Sequence, residues 1–212
     1  MTRCSRAIRV LSHNRVRDII ADMYKALRVA ARKEVGGLYA QMTSYGTHKS
    51  ADVLVPGSAT ASGEAYALDV AITDPTGKVA LQRLSHRNAL RAAEIRHKDK
   101  MNTHAKALSV AGAAGLPFVK GPLAFETTGA MGKETQKWWR EVSNLEKDQR
   151  AIGETTSRKD KGLEWSFTAN GFETFWLQSI SMSMARTQAE SIVVSLGPTK
   201  KRGGLIWSTP LT

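Results

Sequence analysis

The chain has 212 residues, 42% of them hydrophobic and 24% charged, the make-up of an ordinary globular fold with room for one sizeable core. No run of about 18 apolar residues marks a membrane span. A net charge of +12 and a pI near 10.0 point to an anionic partner, nucleic acid ahead of an acidic membrane surface. A single cysteine, Cys4, excludes an internal disulfide and a Cys-rich zinc ribbon. None of His13, His48, His86, His97 and His104 has a partner at zinc-finger spacing.

Before Asp18 the chain carries five arginines and no acid. This reads as the basic start of the first helix, with a transit peptide as the alternative. Val16, Ile19, Ile20, Met23, Leu27 and Ala30 recur at three- and four-residue steps, predicting an amphipathic helix over 14–35 that stops at Gly36-Gly37. A short strand is expected over 38–45. Two strands rich in Val, Ile and Leu follow between Ala51 and Pro75, ended by Pro56-Gly57 and Asp74-Pro75. Helix is expected from Val79 to about Leu108, and a buried strand within Gly115–Glu126. Helix resumes over Lys133–Leu145, a polar loop or helix end covers 146–162, and a last helix runs from Gly171 to about Leu196. The basic end, from residue 201, reads as a tail. The order predicts an α/β fold, a small mixed β-sheet flanked by helices with further helices at the C-terminus. One domain over residues 1–200 is the simplest account.

Between Ser50 and Gly77 lie four acids (Asp52, Glu64, Asp69 and Asp74) and no Lys or Arg, a reversal of sign within a basic chain. Asp52 and Asp69, on neighbouring strands, form a donor pair suited to Mg²⁺ or Mn²⁺, because hard oxygen ligands suit hard cations. A bound ion would offset the repulsion between the carboxylates and polarise a phosphoryl group. Lys98, on the following helix, is placed to neutralise charge on that phosphate, although an i,i+4 pair with Glu94 also accounts for it. Glu126 and Glu34 are further metal-ligand candidates. Lys49, Arg91, Lys100, Lys137 and Arg140 are the candidates for gripping a nucleic-acid backbone. Trp138, Trp139, Trp165, Phe167, Phe172, Phe175 and Trp176 crowd the C-terminal half, a pattern that serves either base stacking or core.

Lys49-Ser-Ala-Asp52 followed by Ala67-Leu-Asp69-Val-Ala resembles the R-x-x-D…(D/E)-x-K core of the PD-(D/E)XK, restriction-endonuclease-like nucleases. More closely, the chain resembles the nuclease-like domain that follows the reverse transcriptase in some eukaryotic retroelements. The likeness rests on ADVLVP, ALDVAITDP, AAEIRHKDKM, PLAFETTGAMG and SMSMARTQAESIV, spread over roughly residues 13–195. It implies a restriction-endonuclease-like core and a metal-dependent DNA endonuclease that leaves 5′-phosphates. Asp52 and Asp69 would hold Mg²⁺ or Mn²⁺. Ala71 stands where the pattern has lysine, and Lys98 is expected to supply that charge from the helix. DNA is expected over RNA as partner, with no membrane and with room for a homodimer. The expected setting is intracellular, nuclear before mitochondrial. The alternative is a non-catalytic nucleic-acid-binding or assembly protein that reuses the fold.

Overall fold

The computed structural model describes residues 2–35, 51–60, 63–113, 122–151 and 171–196. Helix α1 (Thr2–Ala26) buries Val16, Ile20 and Met23 along one face, as three- and four-residue spacing requires. The helix ends well before the predicted Gly36-Gly37. Arg28 takes a left-handed φ of 55°. Its amide bonds the Lys25 carbonyl at 2.9 Å, and the Val29 amide bonds the Tyr24 carbonyl at 2.9 Å. This is a Schellman stop with arginine in the position glycine usually takes. The residues expected as the last helical turns form β1 (Arg32–Val35) instead, an exposed strand of Arg, Lys and Glu. Among the described residues β1 lies at the edge of the sheet, where such charge guards against pairing with another chain. The strand expected over 38–45, Lys49, Trp165, Phe167 and the basic tail lie outside the described residues.

Among the described residues, β1 joins β2 (Ala51–Val55), β3 (Tyr66–Thr73) and β4 (Pro122–Glu126) in a four-stranded sheet, in that order. The first two pairings are antiparallel. β3 and β4 run parallel, with Asp69 opposite Pro122 and Thr73 opposite Glu126. The small mixed sheet flanked by helices is therefore present. Val53 and Val55 pair with Leu68 and Tyr66 and join the apolar cluster of α1. The period of two turns Ala67, Asp69 and Ala71 to the opposite face. All five residues of β4 are buried. Its outer backbone is also occupied: the Thr135 hydroxyl accepts from the Ala124 amide at 2.8 Å and donates to the Ala124 carbonyl at 3.1 Å.

The single helix expected from Val79 to Leu108 is broken in two, α2 (Lys78–Gln82) and α3 (Arg91–Ala113). Leu84 and Leu90 sit at φ of 64° and 63° between them. The apolar spacing across this break looked continuous in sequence, but left-handed leucines turn the chain. On α3, Ala92 and Ala93 are buried, and their small size lets the helix lie close to β3 and β4, with which it packs. Helix α4 (Lys133–Ala151) runs past its expected end, whereas α5 (Phe172–Leu196) matches its prediction. The Trp138 indole N–H donates to the Tyr24 hydroxyl at 2.9 Å, tying α4 to α1. Arg15 ties α1 to α5 through Glu190 at 2.8 Å and Thr187 at 2.9 Å. Trp138, Trp139, Phe172 and Trp176 all belong to the buried cluster. Their rings make core, and none is left to stack on a base.

Candidate metal centre

The site forms where the β2–β3 ladder opens. The register that pairs Val53 with Leu68 would set Asp52 opposite Asp69 one step further on. At that step the Asp52 side chain takes the Val70 amide, Oδ2 accepting at 2.6 Å. This bond holds the carboxylate at the opening of the strand pair. His13, continuing the α1 face of Val16 and Ile20 by one turn, reaches the same oxygen through Nε2 at 2.9 Å. Lys100 reaches down from α3 and grips both oxygens of Asp69, at 3.0 and 2.9 Å. One donor atom each from His13, Asp52 and Asp69 lie within 4.8 Å of one another. The two carboxylates are shielded, with side chains only 14% and 20% exposed.

The electrostatics follow from this geometry. His13 Nε2 faces a carboxylate, and its Nδ1 faces the Asn14 side-chain oxygen at 3.2 Å. Both neighbours are acceptors, an arrangement that favours the ring form able to donate from both nitrogens. The Asp52 hydrogen bond raises the His13 pKa above its ordinary value; burial opposes the rise, and the charges of Asp52 and Asp69 add to it. Each carboxylate thus faces a basic side chain, Asp52 that of His13 and Asp69 that of Lys100. The donors also fit a divalent ion, since two carboxylates and one imidazole are ordinary ligands for such a cation.

The remaining candidates are distributed as follows. Lys98 is exposed and lines a shallow cleft with Arg83, Arg91, Glu94, Ile95 and Asp99. At about 100° per residue, Lys98 and Lys100 point to nearly opposite sides of α3. Ala93, His97 and Lys100 share the inner side, where His97 Nδ1 donates to the Pro122 carbonyl at 2.9 Å. Ala71 is buried, on the same strand face as Asp69. The cation that meets Asp69 is Lys100, from α3. Glu126 is buried and accepts the Ala93 amide at 3.4 Å, satisfying an N–H in the first turn of α3. Glu34, on the edge strand, pairs with Arg17. Arg91 is exposed beside Lys98, Lys137 pairs with Glu134 at 2.7 Å, and Arg140 is exposed on α4.

Two members of the cluster, His13 and Lys100, were not assigned there from sequence. Each carries a helical signal. His13 precedes Val16 and Ile20 by three and seven residues, and Lys100 follows Ala93 by seven, so each continues a buried face. Among the described residues, no helix is long and apolar enough to cross a membrane. No protein-family model matches the chain, and no curated protein matches it.

Proposed function

We propose that the chain is a metal-dependent nuclease that hydrolyses phosphodiester bonds, DNA before RNA, at the His13–Asp52–Asp69 cluster. The convergence of three ligand atoms within 4.8 Å on the acidic strand pair carries this reading. The mixed sheet, with its acids on adjacent strands, agrees with the restriction-endonuclease-like core that the sequence resemblance implies. When bound, Mg²⁺ or Mn²⁺ polarises the phosphoryl group and makes water a competent nucleophile near neutral pH. The imidazole tilts the donor set away from an all-oxygen Mg²⁺ cage and toward Mn²⁺. Asp52 is kept in place by the Val70 amide. His13 would hold the ion through Nε2 only as the neutral ring, so binding would be favoured as pH rises. Lys100, beside Asp69, offers an ammonium to charge that develops on the phosphate.

The test is plasmid cleavage with Mg²⁺ or Mn²⁺ beside Asp69→Ala. Metal-dependent cleavage that falls about 10³-fold in the variant is expected, the several kcal/mol that a metal supplies to such a transition state. Equal cleavage by both proteins, or cleavage by neither, would sink the reading. One observation favours a second reading, a non-catalytic nucleic-acid-binding protein: Lys100 on Asp69 and His13 on Asp52 balance the cluster without any ion. DNA binding without cleavage is its signature.

A further inference from the structure

Between β3 and α3 the chain makes an exposed elbow over Lys78–Arg91. It carries Lys78, Arg83, Arg87 and Arg91 and no acid. Val79 is 62% exposed and Leu84 45%, with Leu81 exposed between them. The backbone is nevertheless fixed. Ser85 donates its hydroxyl to the Pro75 carbonyl at 2.6 Å. The Ser85 amide bonds the Ala80 carbonyl at 3.1 Å, and the Leu84 amide bonds the Leu81 carbonyl at 3.0 Å. This is a second Schellman stop, and Leu84 occupies the left-handed position at φ 64°. A bulky residue there is strained. The strain secures only partial burial, since the side chain stays 45% exposed. A strained residue that leaves an apolar side chain half-exposed among cations is a reason to look for a contact at this surface.

The elbow continues into the outer face of α3. A cleft of ≈ 390 Å³ there is lined by Arg83, Arg91, Glu94, Ile95, Lys98 and Asp99. Its two acids are already matched, Asp99 by Arg83 at 3.7 Å and Glu94 by Lys133 at 3.3 Å. Lys78, Arg87, Arg91 and Lys98 form no ion pair with any described acid. The surplus is therefore four exposed positive charges, Lys78 and Arg87 on the elbow and Arg91 and Lys98 on the cleft.

We infer that this elbow is a second nucleic-acid contact, separate from the metal cluster, which grips the flanking part of the polynucleotide. Its unpaired cations meet phosphates, and Leu81 and Leu84 press on sugar and base as apolar knuckles do. The inference rests on the nuclease reading for its choice of partner, because an acidic protein would also answer to the charge. It adds that the strand crosses α3, with Lys100 on the cluster side and Lys98 on the gripping side.

The experiment is fluorescence anisotropy with a labelled DNA duplex and its single strand, in EDTA, over a salt series. The Lys78→Gln/Arg87→Gln/Arg91→Gln variant is expected to bind at least about tenfold more weakly, with the log K against log salt slope reduced by about 2–3, near 0.9 per lost phosphate contact. Lys25→Gln/Lys147→Gln/Arg186→Gln removes as many charges elsewhere and is expected to keep the slope. Leu84→Gly relieves the left-handed strain, so it should melt no lower than wild type while binding several-fold more weakly. Wild-type affinity and slope in the elbow triple variant would overturn the inference, as would a wild type that binds neither oligonucleotide. With metal absent the outcome does not depend on cleavage. Elbow-dependent binding in a protein that never cuts leaves the inference standing and removes the nuclease reading. Cleavage that needs Asp69, with binding indifferent to the elbow, does the reverse.

Discussion

The two sides of α3 show how one helix is divided between packing and solvent. On the inner side, Ala93 is fully buried and its amide bonds Glu126. His97 is tied to the Pro122 carbonyl, and Lys100 lies along Asp69. On the outer side Arg91 and Lys98 are exposed over a shallow cleft. Both sides are basic, but their charges do different work. Lys100 has a carboxylate fixed by a strand and can act only at that point. Lys98 has open solvent and can meet only what arrives from outside. Two residues of sequence, on a helix, separate these environments.

The largest expected effect that tests this contrast is catalytic. Lys100→Met should lower kcat by about 10²–10³-fold, the scale for removing one preorganised charge-stabilising donor. Lys98→Met should act on KM rather than kcat, as the loss of a contact made equally in ground and transition states does. Equal losses of kcat in the two variants would erase the distinction. Next comes packing. A Cβ added at Gly132 would stand 3.3 Å from the Ala93 Cβ, so Ala93 has a close neighbour on its inner side. Ala93→Leu should cost about 1–3 kcal/mol in denaturant unfolding, the usual penalty for overfilling a packed site. A cost near zero would show the inner side to be looser than its burial indicates.

The smallest effect is a pH dependence of the metal-free protein. The folded pKa of His13 is raised by its hydrogen bond to Asp52. The stabilisation from that pair is therefore complete below the unfolded pKa of about 6.5 and fades as pH rises through the folded value. In EDTA the melting temperature should drift down through this group as pH rises past the unfolded value and through the raised folded one, and His13→Asn should flatten the drift. An unchanged profile in the variant would show that the pair contributes nothing to stability.

The acidic strand pair was legible early because its signals are local. Val, Ile and Leu alternation, two bounding prolines and a gap in the basic residues all lie within Ala51–Pro75. The resemblance drawn from Asp52 and Asp69 pointed to the same place. Helix breaks were not legible in this way. Arg28 and Leu84 end helices in a conformation that side-chain chemistry disfavours, so no glycine marked either stop. The apolar spacing from Val79 onward was read as one helix, and the basic elbow disappeared into it.

From sequence alone came the net positive charge, the mixed α/β architecture, and the two carboxylates on neighbouring strands. These follow from charge count, periodicity and turn residues, each readable within about ten residues. Tertiary structure alone decided which cation joins the carboxylates and which histidine completes the cluster. The physical reason is rotational phase. Lys98 and Lys100 are chemically alike, and only the docking of α3 through Ala92 and Ala93 onto β3 and β4 turns Lys100 inward. The docking of α1 through Val16 and Ile20 likewise brings His13 to Asp52, 39 positions away in the chain.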